Sequence, residues 1–244
     1  MTRQAPLIPP TLAEQRAGFS HDDLAFRTSY LLYILIEKGT RPDDPDWVEI
    51  ACQKFGNEVR MLVFRSPIDA MVMLIAGNRQ GHRYEICPFE LLDPRPFMKK
   101  HGDVLRLAFV YGFAAEDGKV LSSQNGSPFP LLEMMNFGPV PDYSEHFHLV
   151  LNENFMDWMN RQILQAGLTT YGEVNQELSE SPLAELEQLG NEALAQVSGR
   201  VIHGGEPIME YAFFDAIERC WCFIPGSVPT QSGQYYAQAS ATIN

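Results

Sequence analysis

Paired cysteines are the first thing this sequence lacks. Its four cysteines stand at positions 52, 87, 220 and 222, and none is spaced as CxxC. Cys220 and Cys222, with one residue between them, are poorly placed for a mutual disulfide, so reduced thiols in a reducing compartment are expected. Long apolar runs are missing too. The most apolar stretch, Tyr30 to Ile36, is about a third of a membrane span. The opening MTRQAPLIPPTLAEQ holds one arginine and no apolar run of signal-peptide length. The expectation is a cytoplasmic protein without a membrane partner.

Motifs that name a reaction are equally scarce. There is no HExxH, no metal-type Asp-rich loop, no phosphate-cradling lysine loop and no dinucleotide glycine spacing. The His-Gly-Gly of VIHGGEP suggests an oxyanion loop, but no GxSxG accompanies it, and QNGSPFP, the nearest approach, fails. Gly204 and Gly205 then read as a turn. EHFHLV places His146 and His148 on one face of an extended strand, half of what an ion needs. His21, His82, His101 and His203 lie in unrelated contexts. No metal or other cofactor and no catalytic residue is expected. The alternative kept open is a metal-dependent or acid/base hydrolase using the His146/His148 region.

What is present is apolar material and a lopsided charge. With 244 residues, 45% hydrophobic and 11% aromatic, the chain has enough for a sizeable core. Residues 1–122 hold 15 basic and 16 acidic side chains, while residues 123–244 hold three basic (Arg161, Arg200, Arg219) and 15 acidic. Almost the whole net charge of −13 therefore falls in the second half. Such a field repels nucleic acid and membranes and speeds encounter with a basic protein. The one basic neighbourhood, NRQGHRYEICPFELLDPRPFMKKHG, is diluted by Glu85, Glu90 and Asp93, so nucleic-acid binding is not expected.

The order of elements implies an α+β fold: one compact domain, with a mixed or antiparallel sheet and helices packed on it. Residues 1–18 read as an extended lead-in, 19–228 as the domain, and 229–244 as a polar tail. Helices are expected over 20–39, capped by Ser20, and over 44–56, stopped by Gly56. EVRMLVFRS and IDAMVMLIAGN lean to strand, as do HRYEICPF and DVLRLAFVYGFA. The Pro-rich stretch 124–144 reads as an exposed loop and a candidate sub-boundary. EHFHLVLN is expected as a strand, and Asn152 caps a helix that Gly167 ends. Residues 178–197 form a second amphipathic helix capped by Ser181. PIMEYAFFDAIERCWCFIP reads as a strand pair.

A stretch of glutamates, GEVNQELSESPLAELEQLGNEALAQ, combined with a single α+β domain and no catalytic motif, is similar in layout to the bacterial immunity proteins. These neutralise polymorphic or type VI secreted toxins, nuclease toxins in particular. The resemblance implies a stoichiometric, non-catalytic inhibitor that protects the producing cell by covering a basic partner. On this expectation Glu173, Glu177, Glu180, Glu185, Glu187 and Glu192 meet the partner. Phe129, Phe137 and Tyr143, as exposed loop aromatics, anchor it. The oligomeric state is left open.

Overall fold

Leu105–Glu116 is the longest strand, and the rest of the sheet is arranged around it. The computed structural model describes residues 11–17, 24, 26–39, 43, 47–138, 147–203, 206–226 and 236–237. In chain order, α1 is Leu12–Ala17, β1 Phe26–Thr28, β2 Tyr33–Lys38, β3 Val48–Ile50, β4 Cys52–Phe55, β5 Glu58–Phe64 and α2 Pro67–Arg79. Then follow β6 Glu85–Pro88, a 3-10 turn Phe89–Leu91, α3 Arg95–Lys100, β7 Leu105–Glu116, β8 Lys119–Val120 and β9 Pro130–Phe137. The remainder is β10 Phe147–Leu149, α4 Glu153–Gln165, α5 Tyr171–Glu180, α6 Leu183–Ala195, β11 Glu210–Asp215, β12 Cys220–Pro225 and β13 Tyr236–Ala237.

Among the described residues, eleven strands form one mixed sheet, and β1 pairs with β10 apart from it. The chain is thus a single α+β domain with helices on the sheet. Strand β7 runs parallel to β5 and antiparallel to β9 and β11. Strand β2 buries both faces over Tyr33–Ile36, which is why the run from Leu32 to Ile36 is apolar without a polar side. Leu32, Ile34 and Ile36 join Met61, Leu107 and the inner face of α4 in one core. Tyr33 and Leu35 join Leu62, Phe64 and the helices α2, α5 and α6 in the other.

The two cores exchange sides along β7. Leu105, Leu107 and Phe109 face the α4 layer, yet beyond a bulge at Tyr111 it is Ala114 that does so, while Phe113 and Ala115 face α2 and α6. A bulge adds one residue to one strand and so reverses the side-chain alternation. Gly112 makes it possible. Its φ is +152°, and a Cβ there would lie 3.1 Å from the Ala212 carbonyl oxygen.

Several elements depart from the expectation. The run predicted as a helix over 20–39 is β1 and β2 where it is described; the expected cap, Ser20, lies outside the described residues. A helix with no polar side would need burial all round, whereas a central strand needs only its two faces covered. The second predicted helix is β3 and β4, and Gly56, with φ +57°, starts the two-residue turn into β5. Conversely, IDAMVMLIAGN is α2. The Ser66 hydroxyl accepts from the Asp69 amide and Pro67 opens the helix, a start signal that outweighs the β-leaning composition.

Part of the lead-in is α1, held by a reciprocal box in which Thr11 N donates to Glu14 and Glu14 N donates to the Thr11 hydroxyl. Residues 130–137, assigned to a loop, are β9, paired with β7 along its length. Pro130 is tolerated as the first residue of the strand. The helix predicted over 178–197 is split: Ser181 ends α5, its hydroxyl donating to the Glu177 carbonyl at 3.1 Å, and Pro182 precedes α6, so Ser181 closes one helix and does not start the next. Of the predicted tail, Tyr236–Ala237 pairs with β9, and its other residues lie outside the described set.

Candidate functional surfaces

Helices α5 and α6 place the acidic residues. Each has one inner stripe: Asn175, Leu178 and Ser179 in α5, and Leu186, Leu189, Gly190, Ala193 and Leu194 in α6. Gly190 lets α6 lie close on α2, since a Cβ there would stand 2.8 Å from both Met71 and Ile75 side-chain carbons. With the inner stripes fixed, Glu173, Glu177 and Glu180 recur at helical spacing on the exposed side of α5, and Glu185 and Glu187 are exposed on α6. Neither helix contains a lysine or arginine. Among the described residues, none of these five glutamates has an ion-pair partner.

On α5 the spacing of Glu173, Glu177 and Glu180 is a cost to the helix, while Glu173 and Glu185 sit in first turns, where the helix dipole favours them. Like charges at i,i+3 and i,i+4 destabilise an isolated helix by roughly 0.2–0.5 kcal/mol per pair. Glu180, in the last turn of α5, also sits against the negative end of the helix dipole. Glu192 differs from the other five. It bonds Arg219 at 3.1 Å and accepts from Gln188 at 3.0 Å, so its charge is matched within the fold.

Two of the three loop aromatics expected as exposed anchors pack on the core instead. Phe137 is only 4% exposed and belongs to the core on the α4 side, because it is the last inward-facing residue of β9. Phe129 is half-buried against the same core, its backbone bonded to Leu121 and Ala114. Tyr143 lies outside the described residues, as does His146. His148 is exposed on β10, opposite Arg27. Among the described residues, no group of three or more His, Cys, Asp or Glu side chains is placed to hold a metal ion. Also among them, no helix is long and apolar enough to cross a membrane.

A buried polar cluster escaped the sequence reading. It gathers where β5 ends and α2 begins: Arg65, Ser66 and Asp69 there, with Tyr171 and Asn175 from α5. Burial pushes the Asp69 carboxyl up to about 7. Burial, and next the charge of Asp69, push the Tyr171 hydroxyl above its ordinary range. Arg65 donates to Asn160 at 2.7 Å and lies over the Tyr30 ring. Ser66-Pro67-Ile68-Asp69, a helix-start pattern, was the legible signal. The adjoining cavity, lined by Tyr171, Asn175, Thr169 and Leu168, measures about 60 Å³. That is room for a few waters and not for a metabolite. The cluster serves to fix the start of α2 against α5.

No family model, no curated protein and no solved structure matches this chain.

Proposed function

We propose that this chain is a non-catalytic binding protein that neutralises a basic protein, and that it acts as an immunity protein blocking a secreted nuclease-type toxin. The observation that carries the reading is the outer face of α5 and α6: five exposed glutamates on helices without a lysine or arginine, and with no ion-pair partner among the described residues. On α5 the charges of Glu173, Glu177 and Glu180 repel one another, and meeting something cationic would relieve that repulsion. A nuclease presents a basic cleft to bind phosphate. Complementary charge speeds capture by roughly 10- to 1,000-fold at low ionic strength.

The test is co-expression and kinetics with the product of the neighbouring gene. The chain should abolish that product's toxicity at a one-to-one ratio. Replacing Glu173, Glu177 and Glu180 together with lysine should slow association about tenfold or more at low salt and flatten its salt dependence. An association rate indifferent to these substitutions would retire the surface.

A further inference from the structure

The basic neighbourhood near residue 100 borders a groove that the acidic face does not use. Strand β3 pairs with β2 and strand β4 with β5, the chain crossing between them at Ala51. The Ala51 amide donates to Leu35 O at 2.8 Å, and its carbonyl accepts from Leu62 N at 3.0 Å. Strands β2 and β5 are thereby held apart except at Tyr33 and Phe64. Against this opening lies α3, and between them is a groove of about 680 Å³. Small-molecule sites fall at roughly 300–1,000 Å³.

Its walls are apolar and partly aromatic: Trp47, Ile50, Leu92 and Phe97. Lys100 and His101 stand at its rim. Of the two acidic lining residues, Asp93 bonds Arg95 at 2.7 Å, and Glu49 stands on β3, whereas Lys100 and His101 belong to α3 and its C-cap. Lys100 is exposed and has no ion-pair partner among the described residues. His101 lies against the Phe97 ring at 4.3 Å. Partial burial, then the charges of Lys100 and Arg106, hold its imidazole below the ordinary value. The rim at this point is therefore electropositive, in a molecule of net charge −13.

We propose that this groove binds a small aromatic carboxylate, with its ring against Trp47 and Phe97 and its carboxylate between Lys100 and His101. Apolar walls with a few convergent polar groups are the usual form of such a site. The placement of Lys100 at one end, with the His101 imidazole beside it, supplies direction and selects an anion. An anion seated there favours the protonated imidazole of His101, so binding raises its pKa. The site is independent of the glutamates on α5 and α6.

The experiment titrates the intact protein with 4-phenylbutyrate and with its neutral amide, followed by NMR. The acid should shift the Trp47 indole and leave Trp158 and Trp221 in place, raise the pKa of His101, and bind at least about tenfold more tightly than the amide. Lys100→Glu should weaken the acid by about tenfold or more without changing the melting temperature. Equal binding of acid and amide, shifts at Trp158 or Trp221 instead, or an unaffected Lys100→Glu variant would overturn the proposal. So would failure of the probe to bind. Self-association of the protein that Lys100→Glu disrupts, without probe binding, would assign the groove to a second copy instead.

Discussion

The outer face of α5 and α6 and the groove between β3, β4 and α3 are opposite in charge and in shape. On the first, glutamates project from helices whose inner side is tightly packed, with Gly190 against Met71 and Ile75. In the second, the sheet opens and leaves Trp47 and Phe97 half-buried beneath a cationic rim. Charges laid along two helices suit a large partner and fast encounter. A concavity with aromatic walls suits a small molecule. One net charge therefore describes neither region.

The contrast can be sharpened by substitution, beginning inside the helical layer. Asp69 should show the largest effect. Its folded pKa of about 7 lies above the ordinary 3.8, so the folded state holds a proton that the unfolded chain releases. The resulting stability is fully present below about pH 4 and is lost as pH rises through about 7. Between about pH 5 and 8 the loss is on the order of 2–3 kcal/mol for this group. Glu133, pushed up to about 7 by burial, contributes in the same direction. Urea unfolding should thus give a lower midpoint at the higher pH, and Asp69→Asn should flatten the difference. A wild-type protein equally stable at both would contradict a buried carboxyl here.

Gly190→Ala comes next. Overpacking against Met71 and Ile75 costs about 1–3 kcal/mol, and the better helix propensity of alanine returns about 1 kcal/mol. A net loss of about 1 kcal/mol is expected by denaturant titration. A gain would mean that α2 and α6 yield, and that the layer is less rigid than its geometry. On the outer face of the same layer the sign reverses. Glu177→Gln with Glu180→Gln removes the like-charge pairs of α5 and a negative charge from its last turn, and should stabilise by a few tenths of a kcal/mol at low salt, with the gain vanishing at high salt. At the groove rim, Lys100→Glu should leave stability within about 0.5 kcal/mol. A larger loss would show that Lys100 supports the fold and does not merely border the groove.

Some of this was legible in the sequence. The strand pair β11 and β12, the long strand β7 and the Asn152-capped helix α4 all follow from local patterns. Asn152 accepts from the Phe155 amide, and Gly167 takes φ +86° where the helix stops. The first part of α5 was not legible, because two of its three buried residues, Asn175 and Ser179, are polar and show no apolar period. The exchange of helix and strand over residues 20–79 was no more legible. Apolar runs there are buried on both sides, so neither period of two nor period of 3.6 shows.

By itself, the sequence determined the composition of the core, the α+β class and the segregation of negative charge into the second half, since these depend on residue identity and local spacing. Only the tertiary structure decided which charges remain unmatched. Glu192 and Glu187 are near neighbours in the chain, yet Arg219, 27 positions beyond Glu192, pairs with Glu192 alone. It likewise decided that Phe137 is core and that Trp47 meets α3 across a groove. Such outcomes depend on contacts between distant segments, and one inserted residue, Tyr111, is enough to turn a strand's faces over.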